Sequence, residues 1–185
     1  AGTPESRVID PENSLLSRGP SDRLTAEMVR DQALAASGLL VGAIGGPSVY
    51  PYQPGGLWQE KSGRVYPQGT GDALHRRSMY TFWKRTSPPP SMMLFDAAKR
   101  DVCVARRSST STPLQALVLL NDIQFVEAAR VLAERVIEQS PPDHAGQIEL
   151  AFRLLTGRRP TSVEREILEG LYAEELEIFQ VDLDA

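Results

Sequence analysis

The densest group of ionisable side chains lies in the middle of the chain, where basic residues occur in adjacent pairs on either side of three consecutive prolines. One guanidinium group can form two parallel hydrogen bonds to the oxygens of a carboxylate or phosphate, so these residues could line an anion site. They could also form ion pairs that hold an irregular core together, and this interpretation is favoured because ion-pair networks are commoner than anion sites. The candidates for a ligand site or interface are Arg76, Arg77, Lys84, Arg85, Asp96, Lys99, Arg100, Asp101, Arg106 and Arg107.

Four carboxylates near this group could in principle supply acid/base chemistry: Asp96, Asp101, Asp122 and Glu127. Glycoside cleavage needs two carboxyl groups about 5–10 Å apart. The spacing of these four specifies no such pair, and helix capping and surface solvation explain them better. No residue is therefore assigned a catalytic role.

Sulfur and imidazole groups are scarce. The single cysteine, Cys103, lies between two valines with no histidine next to it, which favours a buried, inert thiol over a nucleophile. Met92 and Met93 are expected in the core. One cysteine and two distant histidines, His75 and His144, give neither a zinc site nor a CxxCH haem attachment, so we expect no metal and no cofactor in this chain.

A segment rich in glycine and proline, residues 42–72, carries several aromatic side chains. A loop this long inside a compact domain is uncommon and is often functional. An aromatic platform for a flat ligand such as a sugar ring is one interpretation. The favoured one is that the aromatic rings anchor the loop, because they offer large contact area at low entropic cost. The aromatic candidates are Tyr50, Tyr52, Trp58 and Tyr66.

The net charge of −4 conceals a strong asymmetry along the chain. Residues 75–107 carry eight Lys and Arg against two Asp, whereas residues 108–185 carry six basic against fourteen acidic residues. A nucleic-acid-binding protein needs a continuous basic face, so that function is disfavoured. The simpler expectation is that the basic segment meets the acidic C-terminal helices or a partner.

Helical signals occupy both ends of the chain. Residues 24–41 read as a helix with Thr25 as its N-cap, and residues 112–180 read as several helices. Thr112, Pro113 and Gln115 predict a capping box, and the helix that follows is apolar almost all round, so it is expected to be buried. Asn121 or Asp122, Asp143 and Thr161 are predicted to begin the later helices.

These signals predict a mainly α fold, with a bundle-like C-terminal half, a long irregular Gly/Pro-rich insertion and little or no sheet. We expect one domain over residues 1–185, comprising a linker at residues 1–10, the two helical regions, the irregular loop, and a basic extended core segment at residues 73–111. The chain reads as a fragment of a larger protein. No apolar run is long enough to span a membrane.

Several phrases resemble a known family: GGPSVYPYQPGGLW at Gly45–Trp58, MYTFWKRTSPPPSM at Met79–Met92, and FDAAKRDVCVARRSSTSTPLQALVLLNDIQFVEAAR at Phe95–Arg130. Together with AFRLLTGRRPT at Ala151–Thr161, they are similar to domain of unknown function 1553 of planctomycete-type secreted proteins. The resemblance covers most of residues 10–159, and the chain resembles the C-terminal portion of that domain. This sequence departs from the family pattern at Ile123, where a proline is expected, and at Ala98 and Lys99, where Pro-Asn is usual.

The resemblance implies an extracytoplasmic (periplasmic or secreted) location and neighbours that include a cytochrome-c-like domain, on which a haem could reside. The first hypothesis is a non-catalytic helical module of a larger multidomain protein that packs on companion domains. The alternative is part of an enzyme that acts on polysaccharides or sugar derivatives, coupled to electron transfer. An enzyme would bring ionisable groups of residues 76–122 together in a pocket, whereas a module would pair them internally and expose an apolar patch.

Overall fold

The computed structural model describes residues 4–19 and 23–181, and helices are the only regular elements in these ranges. Two isolated parallel bridges, Val41 to Arg76 and Val49 to Thr81, are the remaining traces of β-structure there. The predicted mainly α fold with little or no sheet is confirmed for this part of the chain. The helices are α1 (Pro4–Ile9), α2 (Ala26–Ser37), α3 (Leu57–Ser62), α4 (Asp72–His75), α5 (Pro90–Leu94), α6 (Pro113–Asn121), α7 (Ile123–Gln139), α8 (His144–Thr156) and α9 (Ser162–Val181), with a 3₁₀ turn at Ser78–Tyr80.

Helix α2 begins and ends as its sequence predicts. The Thr25 hydroxyl accepts a hydrogen bond from the Met28 N–H at 3.4 Å, which satisfies one of the free amides of the first turn. The helix ends at Gly38, whose φ of 89° closes the last turn through bonds from its N–H to the carbonyls of Leu34 and Ala35. The predicted range of residues 24–41 thus contains a shorter helix.

The C-terminal helices also begin at their predicted caps. Asp122 caps α7 by accepting from the Gln124 N–H at 3.0 Å, and Asp143 caps α8 by accepting from the Gly146 N–H at 2.6 Å. The capping box of α6 forms between Thr112 and Gln115. These polar contacts fix the boundaries of three successive helices and therefore the short turns between them.

The predicted linker and irregular loop contain more local structure than their composition indicates. Residues 4–9 of the linker form α1, and the start of the linker, residues 1–3, lies outside the described residues. Within the predicted loop at residues 42–72, α3 is closed by Gly63, whose φ is 66°. The rest of that loop has no repeating backbone conformation.

The core is small and lies between α2, α5 and α7. Its buried members are Ala26 from α2, Met92 from α5, Phe125 from α7, and Phe95 and Ala97 from the segment after α5. Met92 is therefore in the core, as predicted. Since α2 packs on α5, α7, α8 and the 3₁₀ turn, it is the central element of the fold.

A buried arginine on α2 joins the helices to the irregular centre. Arg30 is only 3% exposed and donates to the carbonyls of Leu74 at 2.6 Å and Arg76 at 2.7 Å. It also donates to the hydroxyl of Ser78 at 3.2 Å and to the side-chain oxygen of Gln124 on α7. Burial lowers the pKa of Arg30 to about 10, so the guanidinium keeps its charge at neutral pH.

Helix α6 is not buried, and that prediction is wrong. Val118 packs on the core and Gln115 is 3% exposed, but Leu114, Leu117 and Leu120 are 55%, 55% and 74% exposed. We call these three exposed leucines the α6 face. The uniform apolarity of α6 therefore leaves one face without a covering element in the described chain.

Helix α9 packs mainly on α8 and carries a second exposed apolar stripe. Val163, Ile167, Leu171 and Ile178 on it are between 51% and 63% exposed. Its start is fixed locally, because Glu164 pairs with Arg158 at 2.6 Å and that hydrogen bond lowers the pKa of Glu164 to about 2. None of the described helices combines the length and apolarity needed to cross a membrane.

We predict that Arg30→Met strongly destabilises the fold. The substitution leaves the carbonyls of Leu74 and Arg76 and the amide of Gln124 buried without their donor, which should cost about 3 kcal/mol or more of unfolding free energy. Urea unfolding followed by circular dichroism measures the change.

The matched control is Arg130→Met on α7, which removes an exposed Arg130–Glu134 pair. Its expected cost is below about 0.5 kcal/mol. An Arg30→Met variant that stays within about 1 kcal/mol of the unsubstituted chain would show that the buried guanidinium does not hold the centre together.

Candidate functional site

The first two arginines of the basic segment both contact the protein itself, Arg76 as a buried side chain and Arg77 as an exposed one. Arg76 donates to the carbonyls of Ala43 at 3.0 Å and Gly45 at 2.5 Å, and its guanidinium lies 3.9 Å from the ring centre of Tyr80. Arg77 lies 3.7 Å from the carboxylate of Asp31 on α2. Arg76 thus fastens the Gly-rich loop, and its cationic group is engaged by the protein itself.

Three of the four aromatic candidates, Tyr50, Trp58 and Tyr66, form one cluster with Phe82 from the basic segment. The ring of Tyr50 stacks on Phe82 at 4.9 Å, and the rings of Trp58 and Tyr66 meet edge to face at 5.1 Å. Trp58 is 7% exposed, and Lys84 lies 4.2 Å above its ring. These rings contact one another closely, a geometry that anchors the loop.

Tyr66 and Tyr52 add polar ties to the same loop. The Tyr66 hydroxyl donates to the carbonyl of Pro51 at 2.7 Å, and burial raises its pKa. The Tyr52 hydroxyl donates to Glu127 on α7 at 3.3 Å, and burial together with the Glu127 charge raises the pKa of Tyr52. Both phenols are therefore protonated donors at neutral pH.

Glu127 also contacts a histidine, and no sequence pattern predicts this contact. Its second oxygen lies 3.1 Å from Nε2 of His75, so residues 52, 75 and 127 meet although they are far apart in the chain. A pairing over such separations follows only from the packing of the irregular centre on α7. The cluster connects the loop, α4 and α7.

The second half of the basic segment forms an exposed loop closed by Asp96. The Asp96 carboxylate accepts from the Thr110 N–H at 2.7 Å and from the Thr110 hydroxyl at 2.8 Å. The backbone bond from Thr110, followed by the hydroxyl bond, lowers the pKa of Asp96. Residues 96 and 110 therefore clamp the loop that we call the 96–110 loop.

Side chains of helix α2 and of Trp83 also hold this loop. Arg107 pairs with Glu27 on α2 at 2.7 Å. Partial burial works to raise the pKa of Glu27, but the hydrogen bond and charge of Arg107 help to bring the net value below its ordinary range. The Trp83 indole donates to the carbonyl of Lys99 at 3.1 Å, and the Arg100 guanidinium lies 4.6 Å from its ring centre.

The carboxylates that face the basic segment thus come from α2. The basic segment was predicted to meet the acidic C-terminal helices or a partner, and the first alternative is corrected by the described contacts: Arg77 pairs with Asp31 and Arg107 with Glu27. The acidic end pairs locally, with Glu149 contacting Arg159 at 3.3 Å and Arg165 at 2.9 Å. Among the described ion pairs, His75 with Glu127 joins the basic segment to α7.

A hollow of about 320 Å³ lies between the 96–110 loop and the end of α5. A smaller hollow of about 130 Å³ adjoins it and shares Asp96, Arg107 and Ser108. Arg85, Asp101 and Arg106 are exposed and line neither hollow. The larger hollow is lined by Met93, Asp96, Ala97, Ala98, Lys99, Arg100, Val102, Val104, Arg107 and Ser108.

Cys103 is exposed on this loop, so the prediction of a buried thiol is wrong. The flanking valines made burial plausible, but Val102 and Val104 are themselves 74% and 52% exposed. They contribute to the wall of the hollow and not to the core. In the described ranges, no three His, Cys, Asp or Glu side chains are grouped so that they could hold a metal ion.

The four carboxylates considered for acid/base work have different surroundings. Asp96 is held by Thr110, Glu127 by His75 and Tyr52, and Asp122 by the amide it caps. Burial raises the pKa of Asp122, which lies at the start of α7. The contacts of these three carboxylates are those of a loop clamp, a tie between segments and a helix cap, and Asp101 is exposed.

We predict that Asp96→Asn loosens the 96–110 loop. The substitution retains a side chain suited to the φ of 61° at this position but removes the charge that strengthens both bonds from Thr110. Exchange of the Thr110 amide proton, followed by NMR, should accelerate roughly tenfold. Asp101→Asn on the same loop is the control and should leave that rate unchanged; equal rates in both variants would contradict the clamp.

The family model described as PSD1, protein of unknown function (DUF1553), matches residues 1–172. No curated protein and no solved structure gives a significant match. The matched range contains the core, the 96–110 loop and the helices up to the middle of α9. Since it covers far more than half of the 185 residues, this chain belongs to the DUF1553 family.

Proposed function

We propose that this chain is a non-catalytic helical module that packs on companion domains of a larger protein through the α6 face. The observation that supports this proposal most directly is the exposure of Leu114, Leu117 and Leu120, at 55%, 55% and 74%, on a helix that is apolar almost all round. A helix of this composition is normally enclosed on all sides. A covering domain would complete that environment.

The energetics favour such a contact. Burying a leucine side chain fully stabilises by about 1.5–3 kcal/mol, so covering the exposed parts of three leucines contributes on the order of 3 kcal/mol. Ile123 and Val126, 66% and 49% exposed, continue the apolar character into the first turn of α7. Contiguous apolar surface of this kind marks interaction sites in soluble proteins.

The ionisable groups support a structural role over a catalytic one. Arg76 binds loop carbonyls, Arg107 pairs with Glu27, and Asp96 binds Thr110. A catalytic acid/base pair needs groups that converge on a substrate within hydrogen-bonding reach. Here the same groups converge on the protein's own backbone and on α2.

The family resemblance supports two further parts of the proposal: an extracytoplasmic location and a cytochrome-c-like companion. A covalently attached haem requires two cysteines followed by a histidine, and this sequence has a single cysteine at position 103. The residues present do not fit such a haem. We therefore assign it to the companion.

The proposal predicts that the α6 face becomes protected in the full-length gene product. Hydroxyl-radical footprinting read by mass spectrometry should show a several-fold lower oxidation rate at Leu117 and Leu120 in the full-length protein than in the 185-residue chain. Ile44, 94% exposed on the Gly-rich loop, serves as the reference. Equal oxidation of the two leucines in both proteins would refute docking through α6.

A further inference from the structure

The hollow beneath the 96–110 loop combines an apolar base with cationic walls. Its base is formed by Met93 and Ala97, and Val102 extends the apolar surface to the rim. Lys99 and Arg100 also line the hollow, so their positive charges lie close to it. Its volume of about 320 Å³ lies at the lower end of the 300–1,000 Å³ typical of small-molecule sites.

The hollow carries surplus positive charge. Of the charged groups that line it, Lys99, Arg100 and Arg107 are cationic and Asp96 is anionic. Arg107 is paired with Glu27, and Asp96 keeps its negative charge while it accepts from Thr110, so these five groups together leave one positive charge. The charge of Arg100 is stabilised by the Trp83 ring, but an aromatic face does not neutralise it.

The loop that forms the wall is fixed at three points by contacts within the protein. Asp96 clamps Thr110, Trp83 holds the carbonyl of Lys99, and Glu27 holds Arg107. Arg100 has a φ of 63°, a conformation that an L-residue with a long side chain adopts only when its surroundings impose it. A wall held in this way loses little entropy when a ligand binds.

These features indicate which chemical class of ligand fits the hollow. We propose that the hollow binds a small organic carboxylate with an apolar body, the carboxylate at Lys99 and Arg100 and the body on Met93, Ala97 and Val102. A simple inorganic anion would leave the apolar base uncovered. A neutral apolar molecule would leave the net positive charge of the hollow without a counter-charge.

A titration with three probes tests the chemistry. The probes are 4-phenylbutyrate, acetate and 4-phenylbutanol, added to the ¹⁵N-labelled 185-residue chain and followed by NMR. We expect saturable shifts confined to residues around 93–108, with 4-phenylbutyrate binding about tenfold or more tightly than either other probe, since one removes the apolar body and the other the charge.

Matched variants test the residues. Lys99→Gln with Arg100→Gln should weaken 4-phenylbutyrate binding about tenfold, which corresponds to the loss of charge-assisted contacts. Arg130→Gln on α7, which removes an exposed cation far from the hollow along the chain, should leave the affinity unchanged. The amide spectra of all variants report whether each remains folded.

Three results would overturn the inference: no saturable shift with 4-phenylbutyrate, acetate binding as tightly as 4-phenylbutyrate, or equal weakening by Arg130→Gln. The inference is independent of the proposed docking through α6. Footprinting of Leu117 and Leu120 can fail while this titration succeeds, and the reverse also holds.

Discussion

The guanidinium of Arg30 is the contact on which the rest of this structure depends. It sits inside the protein on the central helix α2 and reaches the carbonyls of Leu74 and Arg76 as well as the side chain of Gln124 on α7. A buried arginine with its donors satisfied can join segments that share no regular backbone pairing. In this way one side chain connects the first helix of the core, the irregular centre and the C-terminal helices.

Arginine-to-carbonyl bonds recur in the irregular centre of this fold and near the end of α2. Arg76 binds three carbonyls of the Gly-rich loop, those of Ala43, Gly45 and Pro47, and Arg135 on α7 binds the carbonyl of Ala36 near the end of α2 at 2.8 Å. Each bond satisfies a backbone acceptor that a sheet or a longer helix would otherwise satisfy. The basic residues therefore replace the missing strands, and their ion pairs with Glu27 and Asp31 are additions to that role.

Local polar signals were the part of the fold that the sequence predicted well. Thr25, Asp122 and Asp143 cap the helices they were expected to cap, because an N-cap contact involves residues only two or three positions apart. The buried α6 was predicted wrongly because its apolar composition describes an environment that the described chain does not supply. The burial of Cys103 was predicted wrongly because flanking valines indicate a preference for extended backbone and do not show whether the segment is buried.

The long-range polar contacts could not be predicted from the sequence. Arg30 looks like an ordinary charged position of an amphipathic helix, and nothing near it in the chain shows that its partners lie more than forty residues away. The meeting of Tyr52, His75 and Glu127 depends on the same packing. The hollow under the 96–110 loop likewise requires the clamp between residues 96 and 110, which no spacing rule predicts.

The central claim is that Arg30 makes the irregular centre and the helices one cooperative unit. Native-state hydrogen exchange as a function of denaturant measures this directly. In the irregular centre it follows the amides of Val49 and Phe82, which donate to the carbonyls of Tyr80 and Val49. In the helices it follows the amides in the middle of α2 and α7. The account predicts that these amides share one opening free energy and one denaturant dependence. Val49 and Phe82 exchanging through a separate opening of much lower free energy, while α2 and α7 stay protected, would contradict it.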